Sequence, residues 1–557
     1  MERIWLEHYP PGVPADIDPG QFASLKDIIE QSCASFAHLP AYTNLGKTLS
    51  FAELLELSCH FAAYLQKVVA LDKGDRVAIM LPNVLQYPVV AFGTLRAGMA
   101  VVNVNPLYTA RELEHQLVDS GAKVVVILEN FAHVLQKVLY KTAVRTVVVT
   151  AVGDLLDLPK RALVNFVVRR VQKKVPPWDI PETIPFRRAI ADGKWQTFDG
   201  VTLGHDDVAF LQYTGGTTGI AKGAMLTHGN MVANSLQAAA WFGPGAEEQV
   251  GGAVVITALP LYHIFSLTAN CLTWLKLGGN NVLITNPRDF PGFVNELRKH
   301  RFTFFSGVNT LFNALLNTPG FDALDFSGLK ITIGGGMAVQ RSVAERWQKV
   351  TGNVLTQAYG LTETSPAACV NPLHLDAFNG SVGLPISSTE VSIRDDAGAE
   401  LPLGEIGEIC IRGPQVMAGY WNRPDETANV MIEGGWLRSG DLGHMDAKGY
   451  VFIEDRKKDM INVSGFNVYP NEIEAVAASH PGVLEAAAVA VPDESSGEAI
   501  KLFVVRRNPS VTEAEIIEHC RTELTAYKVP KSVEFRDELP KSNVGKILRR
   551  ALRDEEL

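Results

Sequence analysis

The sequence predicts an α/β protein made of a large N-terminal domain and a small α+β C-terminal domain. Short apolar runs alternate with segments of helical spacing in two successive stretches, before and after residue 200, which is typical of parallel βαβ units. From about residue 380 the chain changes to short strands and turns, which indicates a small β-rich subdomain over about 380–455. A compact mixed pattern follows, so we place the domains at 1–455 and 456–557.

The first parallel α/β subdomain is predicted from five consecutive segments. The apolar runs DRVAIMLPN (75–83), MAVVNVNP (99–106) and KVVVILEN (123–130) are predicted as buried strands. Between them, 87–98 and 111–122 have the spacing of helices. Apolar strands separated by helices indicate βαβ units with the strands parallel.

The second α/β subdomain repeats this pattern after residue 200. The segment DDVAFLQYT (206–214) is predicted as a strand that enters a Gly/Thr loop, and 227–242 as a helix. AVVITALP (253–260) is predicted as a buried strand, and TFFSGV (303–308) and KITIGGG (330–336) as further strand ends. This half of the sequence is the more informative one, because its first strand leads into the Gly/Thr loop.

The C-terminal unit begins near the charged segment EDRKKD (454–459). Two helical segments, 471–483 and 512–524, alternate with two apolar strands, 485–493 and 500–509. This pattern predicts a compact α+β domain of about 100 residues.

Composition and charge narrow the classes of function. The chain has 51 Lys and Arg residues against 61 Asp and Glu residues, and this net charge of −10 argues against a dedicated nucleic-acid binder. There is no CxxC pair, so we expect six reduced thiols and neither disulfides nor a zinc site, at Cys33, Cys59, Cys271, Cys369, Cys410 and Cys520. We find no secretory signal and no apolar run of about 18 residues, and therefore expect a cytoplasmic protein whose contact with membranes is peripheral.

The most informative segment is the Gly/Thr loop YTGGTTGIAKGAML (213–226). Glycines let backbone N–H groups approach an anion, threonines add hydroxyl donors, and a lysine adds charge. The loop is not a Walker A motif, because Ala221 stands where the second glycine is expected and Gly223 where Ser or Thr is expected. A flexible surface turn is the alternative. We predict a phosphate-binding loop with the candidate residues Tyr213, Thr214, Gly215, Gly216, Thr217, Thr218, Gly219 and Lys222.

Six further motifs accompany this loop along the chain. They are PLYHIF (260–265), QAYGLTETSP (357–366), GWLRSGDLG (435–443), DRKKDMI (455–461), SGFNVYPNEIE (464–474) and PKSNVGKILRR (540–550). In this order, and over nearly the whole chain, they resemble the adenylate-forming superfamily of acyl-CoA synthetases, luciferases and peptide-synthetase adenylation domains. The sequence as a whole is similar to those of bacterial long-chain fatty-acid–CoA ligases.

The resemblance implies a reaction that uses a fatty acid, ATP, Mg²⁺ and coenzyme A. The carboxylate would attack the α-phosphate of ATP, pyrophosphate would leave, and the acyl group would then pass to the thiol of coenzyme A. An acyl-AMP ligase that serves a carrier protein, and an aryl or medium-chain acid–CoA ligase, stay open as alternatives. A non-catalytic sensor on the same fold is a further alternative, although Lys546, Glu363 and Asp441 are intact.

Residues that match the nucleotide motifs take the roles that the resemblance implies. Thr217 contacts the phosphates and, with Glu363, is associated with Mg²⁺. Thr362 reaches the α-phosphate, and Tyr359, followed by Gly360, lies against adenine. For Tyr359 alone, a core aromatic would be the more ordinary interpretation.

Other predicted contacts lie further along the chain. Gly334, Gly335 and Gly336 would pack against the base or the acyl chain, with a simple tight turn as the alternative. Asp441 would accept hydrogen bonds from both ribose hydroxyls, and Arg456 is a second candidate for ribose. All of these belong to the nucleotide site that the resemblance implies.

The resemblance also implies a catalytic lysine and a moving domain. Lys546 would contact the substrate carboxylate and the α-phosphate during adenylation, and His263 would lie near the acyl and thiol paths unless it is an ordinary core histidine. After adenylation the small domain would rotate about Lys458, so that Lys546 leaves and Gly465 approaches. A tryptophan gate is not supported, because the region after His263 has Leu267.

A basic segment at 160–178 is the last candidate. It contains six basic residues and no acidic one. Read as a helix, it carries one apolar stripe, formed by Val164, Val167, Val168, Val171 and Val175. Such a helix suits the anionic inner face of the cytoplasmic membrane, and ordinary packing on the large domain is the alternative. A homodimer is left open as well.

Overall fold

The computed structural model describes residues 2–214, 221–246, 250–493 and 496–556. Within these ranges the strands form four sheets, of which two are large and mainly parallel. A smaller antiparallel sheet and the sheet of the C-terminal unit follow along the chain. This arrangement confirms the predicted α/β class, with parallel α/β subdomains, a β-rich subdomain and an α+β C-terminal unit.

The first large sheet is the one predicted from the segments around residues 75–130. Among the described residues its eight strands are, in spatial order, Gly419–Tyr420, Lys222–Thr227, Val208–Thr214, Ala100–Asn103, Arg76–Met80, Val124–Leu128, Thr146–Thr150 and Ile184–Pro185. The inner strands pair in parallel, as expected for strands joined by helices. Lys222–Thr227 pairs antiparallel with Val208–Thr214, on either side of the Gly/Thr loop.

The second large sheet is built on the same plan. Its nine described strands are, in spatial order, Leu384–Pro385, Ala367–Val370, Leu355–Gly360, Ile331–Gly334, Phe304–Gly307, Val254–Thr257, Asn280–Leu283, Pro40–Asn44 and Lys47–Ser50. The six central strands, Leu355–Gly360 to Pro40–Asn44 in this order, are parallel. Their carboxyl ends therefore lie at one edge, where ligands bind in open parallel sheets.

Two smaller sheets complete the fold. In the described chain the β-rich sheet consists of Glu390–Arg394, Gly407–Arg412, Met431–Ile432, Trp436–Met445 and Val451–Arg456. The C-terminal sheet consists of Ile461–Val463, Phe466–Val468, Val483–Asp493, Gly497–Arg506 and Ser532–Arg536. The β-rich sheet thus ends at Arg456, beside the domain boundary predicted at 455/456, which stays a prediction.

Local sequence signals set both ends of one predicted helix. Ala110–Ser120 begins after Thr109, whose side chain and that of Glu112 form a capping box, and ends at Gly121 with φ 59°. The α-helices described are Leu25–Ser35, Phe51–Ala63, Gln86–Arg96, Ala110–Ser120, Ala132–Gln136, Lys160–Phe166, Phe186–Lys194, His228–Ala246, Ile264–Ser266, Thr273–Leu277, Phe290–Leu297, Asn309–Leu316, Arg341–Thr351, Pro424–Val430, Pro470–Ser479, Glu513–Glu523 and Arg549–Asp554. Tyr64–Val68, Val167–Val171 and Leu267–Leu272 are π-helical turns.

The helix Gln86–Arg96 holds the two large sheets together. All of its residues are buried. The hydroxyl oxygen of Tyr87 lies 2.8 Å from Asn103 Oδ1, in the first sheet, and 2.8 Å from the carbonyl oxygen of Leu261, which follows a strand of the second sheet, so that its one proton lies between two acceptors. This contact with both sheets explains why every residue of the helix is buried, including the polar Gln86, Thr94 and Arg96.

The basic segment differs from its prediction. The helix Lys160–Phe166 continues as a π turn only to Val171, because Lys173 adopts a positive φ of 53° and two prolines follow. Val175 therefore does not belong to a helical stripe, and Val171 is exposed while Val164 is half-buried. No helix among the described residues is long and apolar enough to cross a membrane.

Candidate active site

A cavity of about 410 Å³ lies where the second large sheet, the β-rich sheet and the C-terminal unit meet. The strands Ile331–Gly334 and Leu355–Gly360 are parallel neighbours whose carboxyl ends point to the same edge, and the cavity is lined by residues 336–341 after the first strand and by the last residues of the second. Six residues predicted from sequence line this cavity: Gly336, Tyr359, Gly360, Asp441, Arg456 and Lys546. The fold therefore brings together residues that are about 200 positions apart in the chain.

One wall of the cavity is a buried group of paired side chains. Asp441 and Arg456 are directly opposite each other on neighbouring antiparallel strands, and Arg456 Nε lies 2.7 Å from Asp441 Oδ1. The hydroxyl of Tyr359 donates to Asp441 Oδ2 at 2.7 Å. Asp441 is 4% exposed, so its charge is held by these partners instead of water. Each carboxylate oxygen can accept a second hydrogen bond, which leaves capacity for a diol.

The electrostatics of this wall follow from burial and pairing. Burial, and then the neighbouring charge of Asp441, raises the pKa of Tyr359 well above its usual value. The charge of Asp441 also raises the pKa of Arg456. At neutral pH Tyr359 is thus a hydrogen-bond donor and Arg456 a permanent cation, so the wall keeps one charge state.

The glycines near the cavity have different structural reasons. A Cβ on Gly360 would lie 1.8 Å from the carbonyl oxygen of Pro366, so only glycine fits there. A Cβ on Gly334 would lie 2.6 Å from Leu355 Cδ2, and one on Gly335 would lie 3.0 Å from the carbonyl oxygen of Ala358. Close packing of the protein itself explains these three positions.

Gly336 also lines the cavity, and it is less closely packed than Gly334, Gly335 and Gly360. Its φ is 76°, a conformation that favours glycine, and the nearest atom to a Cβ built there is Val308 Cγ1 at 3.7 Å. The backbone at this position is therefore open to a ligand. The predicted roles of Gly334, Gly335 and Gly336 beside a base or an acyl chain stay predictions.

Lys546 reaches the cavity from a tight turn of the C-terminal unit. Ser542 N–H donates to the carbonyl of Lys546 at 2.7 Å, and the turn passes through Gly545 with φ 87°. The hydroxyl of Thr310, on the helix Asn309–Leu316, donates to the carbonyl of Gly545 at 2.9 Å. Burial, followed by the positive charge of Arg456, lowers the pKa of Lys546 to about 8. An anion in the cavity would favour its charged form.

His263 lies close enough to Lys546 to sense its charge. Burial is the main cause that lowers the pKa of His263 to about 4, and Lys546 adds to it. Its Nδ1 accepts from the N–H of Phe265 at 3.3 Å, at the start of the helix Ile264–Ser266. The imidazole is therefore neutral at pH 7, with the proton assigned to Nε2. His263 thus caps a helix next to the cavity, and its role on the acyl or thiol path stays a prediction.

Glu363 lies beside the Gly/Thr loop region and belongs to a chain of polar contacts. The hydroxyl of Tyr420 donates to Glu363 Oε1 at 2.6 Å. Lys222 Nζ lies 5.1 Å from the ring centroid of Tyr420 and 2.5 Å from Glu426 Oε2. Thr362, one residue before Glu363, begins the short 3₁₀ turn that carries the carboxylate. One cation, Lys222, and one carboxylate, Glu363, therefore both contact Tyr420 at the end of this loop.

The donor set can be tested against Mg²⁺. Among the residues that the structure describes, no group of three or more His, Cys, Asp or Glu side chains could hold a metal ion. Magnesium is commonly held by one or two carboxylates together with substrate phosphates and water. The half-buried carboxylate of Glu363 fits that role, with the phosphates supplying the other oxygens.

The first residues of the Gly/Thr loop have a mainly structural setting. Tyr213 is 8% exposed, and its hydroxyl donates to Asp119 Oδ2 at 2.6 Å. Its ring also fills the space in which a Cβ on Gly223 would lie. Thr214 is the last residue of its strand and pairs with Lys222. The predicted phosphate contacts Gly215, Gly216, Thr217, Thr218 and Gly219 lie outside the described residues.

Gly465 is not at the cavity. It lies on the exposed turn between Ile461–Val463 and Phe466–Val468, with φ 87°, and no heavy atom lies within 4 Å of a Cβ built there. Lys458, the predicted pivot, is exposed between this turn and the β-rich sheet. The structure therefore has Lys546 at the cavity and Gly465 away from it, which is the arrangement expected for the first half-reaction.

Four further residues at this site were missed by the sequence reasoning. Asp455, Glu474 and Arg549 form a buried charge cluster on the wall of the cavity, and Tyr420 contacts Glu363. Asp455, Glu474 and Arg549 lie inside motifs that we quoted, so position within a motif was the available signal. Their pairing over 75 and 94 residues is visible only in the folded chain.

Two mainly parallel sheets, a β-rich sheet and an α+β C-terminal unit around one cavity define the fold of adenylate-forming enzymes. The chain belongs to the AMP-binding enzyme family, whose main domain matches residues 29–421 and whose C-terminal domain matches 472–546. Both matched ranges contribute residues to the cavity.

Curated relatives match the chain over its full length. A long-chain-fatty-acid–CoA ligase of Escherichia coli O6:H1 is 58% identical, with 100% of this chain and 98% of the relative covered. The enzyme of the same name from Yersinia pestis is 57% identical with 100% and 99% covered, and that of Bacillus subtilis is 38% identical with 100% and 98% covered.

Solved structures share the fold. ATP-bound MatB from Rhodopseudomonas palustris is 28% identical with a TM-score of 0.79, covering 95% of this chain and 98% of that one. The anthranilate CoA ligase AuaEII in complex with anthranoyl-AMP has a TM-score of 0.85 at 24% identity, covering 97% and 99%. At that identity the second likeness concerns the fold alone.

Proposed function

We propose that the protein activates a long-chain fatty acid with ATP and transfers the acyl group to coenzyme A, releasing AMP and pyrophosphate. The observation that carries this proposal is a cavity lined by Asp441 and Arg456, which precede the predicted pivot Lys458, and by Lys546, which follows it. A fixed acidic and basic pair suits a ribose, and a cation on a separate unit suits a transient anion. The full-length similarity to long-chain-fatty-acid–CoA ligases supports the substrate class.

In the first half-reaction a carboxylate oxygen of the fatty acid bonds to the α-phosphorus, and the bond from that phosphorus to pyrophosphate breaks. Asp441 and Arg456 hold the ribose, Tyr359 lies against adenine, and Lys546 binds the carboxylate and the α-phosphate. Thr217, Thr218 and Thr362, with the glycines of the loop, donate to the phosphates. When bound, Mg²⁺ neutralises developing phosphate charge, and Glu363, with Thr217, would hold it.

In the second half-reaction the thiol sulfur bonds to the acyl carbon, the bond to AMP breaks, and the thiol proton passes to solvent. The part of the C-terminal domain that follows Lys458 rotates about this residue beforehand, so that Lys546 leaves and Gly465 approaches. Neutral His263 lines the path of the acyl group and the thiol without adding charge. Replacing Lys458 with Pro should block thioester formation but spare adenylation, because proline fixes φ at the pivot.

The first experiment measures pyrophosphate release with a panel of carboxylic acids, followed by thioester formation with coenzyme A or with an acyl carrier protein. We expect both activities with long-chain acids and coenzyme A. Preference for aryl or medium-chain acids would favour those ligases, and use of the carrier protein alone would favour an acyl-AMP ligase. Absence of pyrophosphate release with every acid would favour a non-catalytic sensor and overturn the proposal.

We further propose that an exposed basic and apolar surface contacts anionic membrane. Four large apolar side chains there are 58–66% exposed: Leu158, Leu163, Phe166 and Val171. Exposed cations accompany them at Lys160, Arg170, Lys173 and Lys174. Arg169 is already paired with the buried Glu129 at 2.8 Å and therefore belongs to the fold. An insoluble substrate enters from a membrane, so a cytoplasmic protein that docks on the inner face would meet it there.

Co-sedimentation with anionic liposomes tests the surface. Each cation near an anionic membrane contributes about 1 kcal/mol, so Lys173→Gln with Lys174→Gln should weaken binding about 30-fold. The control removes the same charge elsewhere, with Lys349→Gln and Lys448→Gln, and should bind as the unmodified protein does. Phe166→Ser should weaken binding also in high salt. Equal binding by all variants would exclude this surface as the membrane contact. Light scattering of the same samples tests whether the protein is a homodimer, which the sequence leaves open.

A further inference from the structure

A buried cluster of charges ties the Lys546 turn to the β-rich sheet. Arg549, three residues after Lys546, pairs with Glu474 through two parallel contacts, Nε–Oε1 and Nη2–Oε2, both of 2.7 Å. Its remaining nitrogen, Nη1, donates to Asp455 Oδ1 at 2.7 Å. The side chains of Arg549 and Glu474 are 13% and 14% exposed and that of Asp455 is 1% exposed, so these charges are little screened by water.

The partners of Arg549 lie on two sides of the predicted pivot. Glu474 and Arg549 both follow Lys458 in the chain, so a rotation about Lys458 leaves their distance unchanged. Asp455 lies at the end of the β-rich sheet, in strand Val451–Arg456, and the same rotation separates it from Arg549. The ion pairs of Arg549 with Glu474, and at 3.8 Å with Asp459, are thus internal to the moving unit, whereas its pair with Asp455 crosses the boundary of that unit.

Asp455 is also linked directly to the nucleotide wall. It is the neighbour of Arg456, and its Oδ1 accepts the backbone N–H of Arg456 at 2.7 Å. Its Oδ2 accepts the backbone N–H of Asn471 at 2.8 Å, and the side chain of Asn471 donates to the carbonyl of Glu454 at 2.9 Å. A continuous series of contacts therefore runs from the ribose pair through Asp455 and Arg549 to the segment that carries Lys546.

We propose that Asp455 and Arg549 are positioning residues that hold Lys546 in the cavity for adenylation, and that separation of this pair permits the second half-reaction. The inference rests on the proposed function and its domain rotation. Neither side chain needs to touch the substrate. Because misplacement of a reacting group by about 1 Å can cost on the order of 100-fold in rate, the pair acts on adenylation through the placement of Lys546.

Asp455→Asn tests this inference, since it keeps the shape of the side chain and removes the charge. Adenylation, measured as pyrophosphate release, should fall about tenfold or more, whereas thioester formation from supplied acyl-adenylate should be unchanged or faster. The matched control is Glu534→Gln, which removes a carboxylate that pairs at 2.8 Å with Lys501, inside the moving unit and away from the cavity lining. In that control the ratio of the two half-reactions should not change.

A second readout follows the pivot itself. Lys457 and Lys458 are exposed, and trypsin cleavage after them should be several-fold faster in Asp455→Asn because the unit leaves the cavity more often. Arg549→Lys keeps a cation that cannot pair bidentately with Glu474 while reaching Asp455, and should show the same selective loss of adenylation. This variant decides the question if Asp455→Asn does not fold.

The outcomes separate this inference from the proposed function. If the unmodified protein carries out neither half-reaction, the proposed function fails. If it carries out both, and Asp455→Asn and Arg549→Lys lower both by the same factor with unchanged trypsin cleavage, the cluster is structural and the inference is overturned.

Discussion

The two walls of the cavity are built in different ways. Asp441, Arg456 and Tyr359 lie on strands, are paired with one another and are largely buried. Lys546 lies on a turn of the C-terminal unit, which meets the large sheets through separate contacts such as that of Thr310 with Gly545. The nucleotide is bound in both half-reactions and therefore needs a wall that does not move. Lys546 is needed only in the first half-reaction, so it can lie on a wall that moves away afterwards.

The largest effect that sharpens this comparison is expected at Lys546. Lys546→Ala should lower acyl-adenylate formation by about 100- to 1,000-fold, as expected when one group that stabilises developing charge is removed. Thioester formation from supplied acyl-adenylate should stay within about threefold, since the lysine has left by then. Stopped assays of the two half-reactions measure this, and equal loss of both would show that Lys546 does not belong to a departing wall.

On the fixed wall, Asp441→Asn should impair both half-reactions by about tenfold or more. The change removes the carboxylate that pairs with the buried guanidinium of Arg456 at 2.7 Å, and breaking such a pair costs about 3–5 kcal/mol. The KM for ATP should rise and the Tm should fall. A variant that loses adenylation alone would break the comparison, because the ribose is held in both steps.

Elements that have a local sequence signal were predicted from the sequence. Buried parallel strands are continuous apolar runs, so strands such as Arg76–Met80 and Val124–Leu128 were found within a few residues of their bounds. Family motifs were sufficient to select Asp441, Arg456 and Lys546, which the fold then brings to one cavity.

Features that depend on contacts between residues distant in sequence were not predicted. Nothing in the sequence around Arg549 indicates that its side chain is buried between Glu474 and Asp455. The helix predicted over 160–178 ends at Val171, because apolar spacing does not reveal the positive φ of Lys173. Charge partners and backbone reversals of this kind depend on tertiary packing, which a periodic pattern does not encode.

Lys546, on the wall that moves away, should also give the first half-reaction a pH dependence of its own. Burial lowers the pKa of Lys546 to about 8, so the side chain is cationic below that pH and neutral above it. The value of kcat/KM for adenylation should therefore fall as pH rises through about 8, by about tenfold per further unit. Lys546→Arg stays cationic and should remove this limb, whatever its absolute rate. An unchanged limb in that variant would assign it to another group.

The smallest effect is expected at Tyr420, which supports the fixed side without touching the nucleotide wall. Its hydroxyl donates to Glu363 Oε1 at 2.6 Å, and its ring lies under Lys222. Tyr420→Phe keeps the ring and removes the hydroxyl. Since Glu363 is half-buried, water can replace part of a hydrogen bond that contributes about 1.5–3 kcal/mol, so the Mg²⁺ concentration at half-maximal adenylation should rise only about threefold.

The matched variant Glu363→Gln removes the charge itself and should raise the same Mg²⁺ midpoint about tenfold while also lowering the maximal rate. The two titrations together rank direct against indirect contact with the metal. A larger shift in Tyr420→Phe than in Glu363→Gln would mean that the tyrosine hydroxyl, not the carboxylate, acts near the phosphates. An unchanged midpoint in Glu363→Gln would make Glu363 structural, and the metal would then depend on phosphate oxygens and on loop residues such as Thr217.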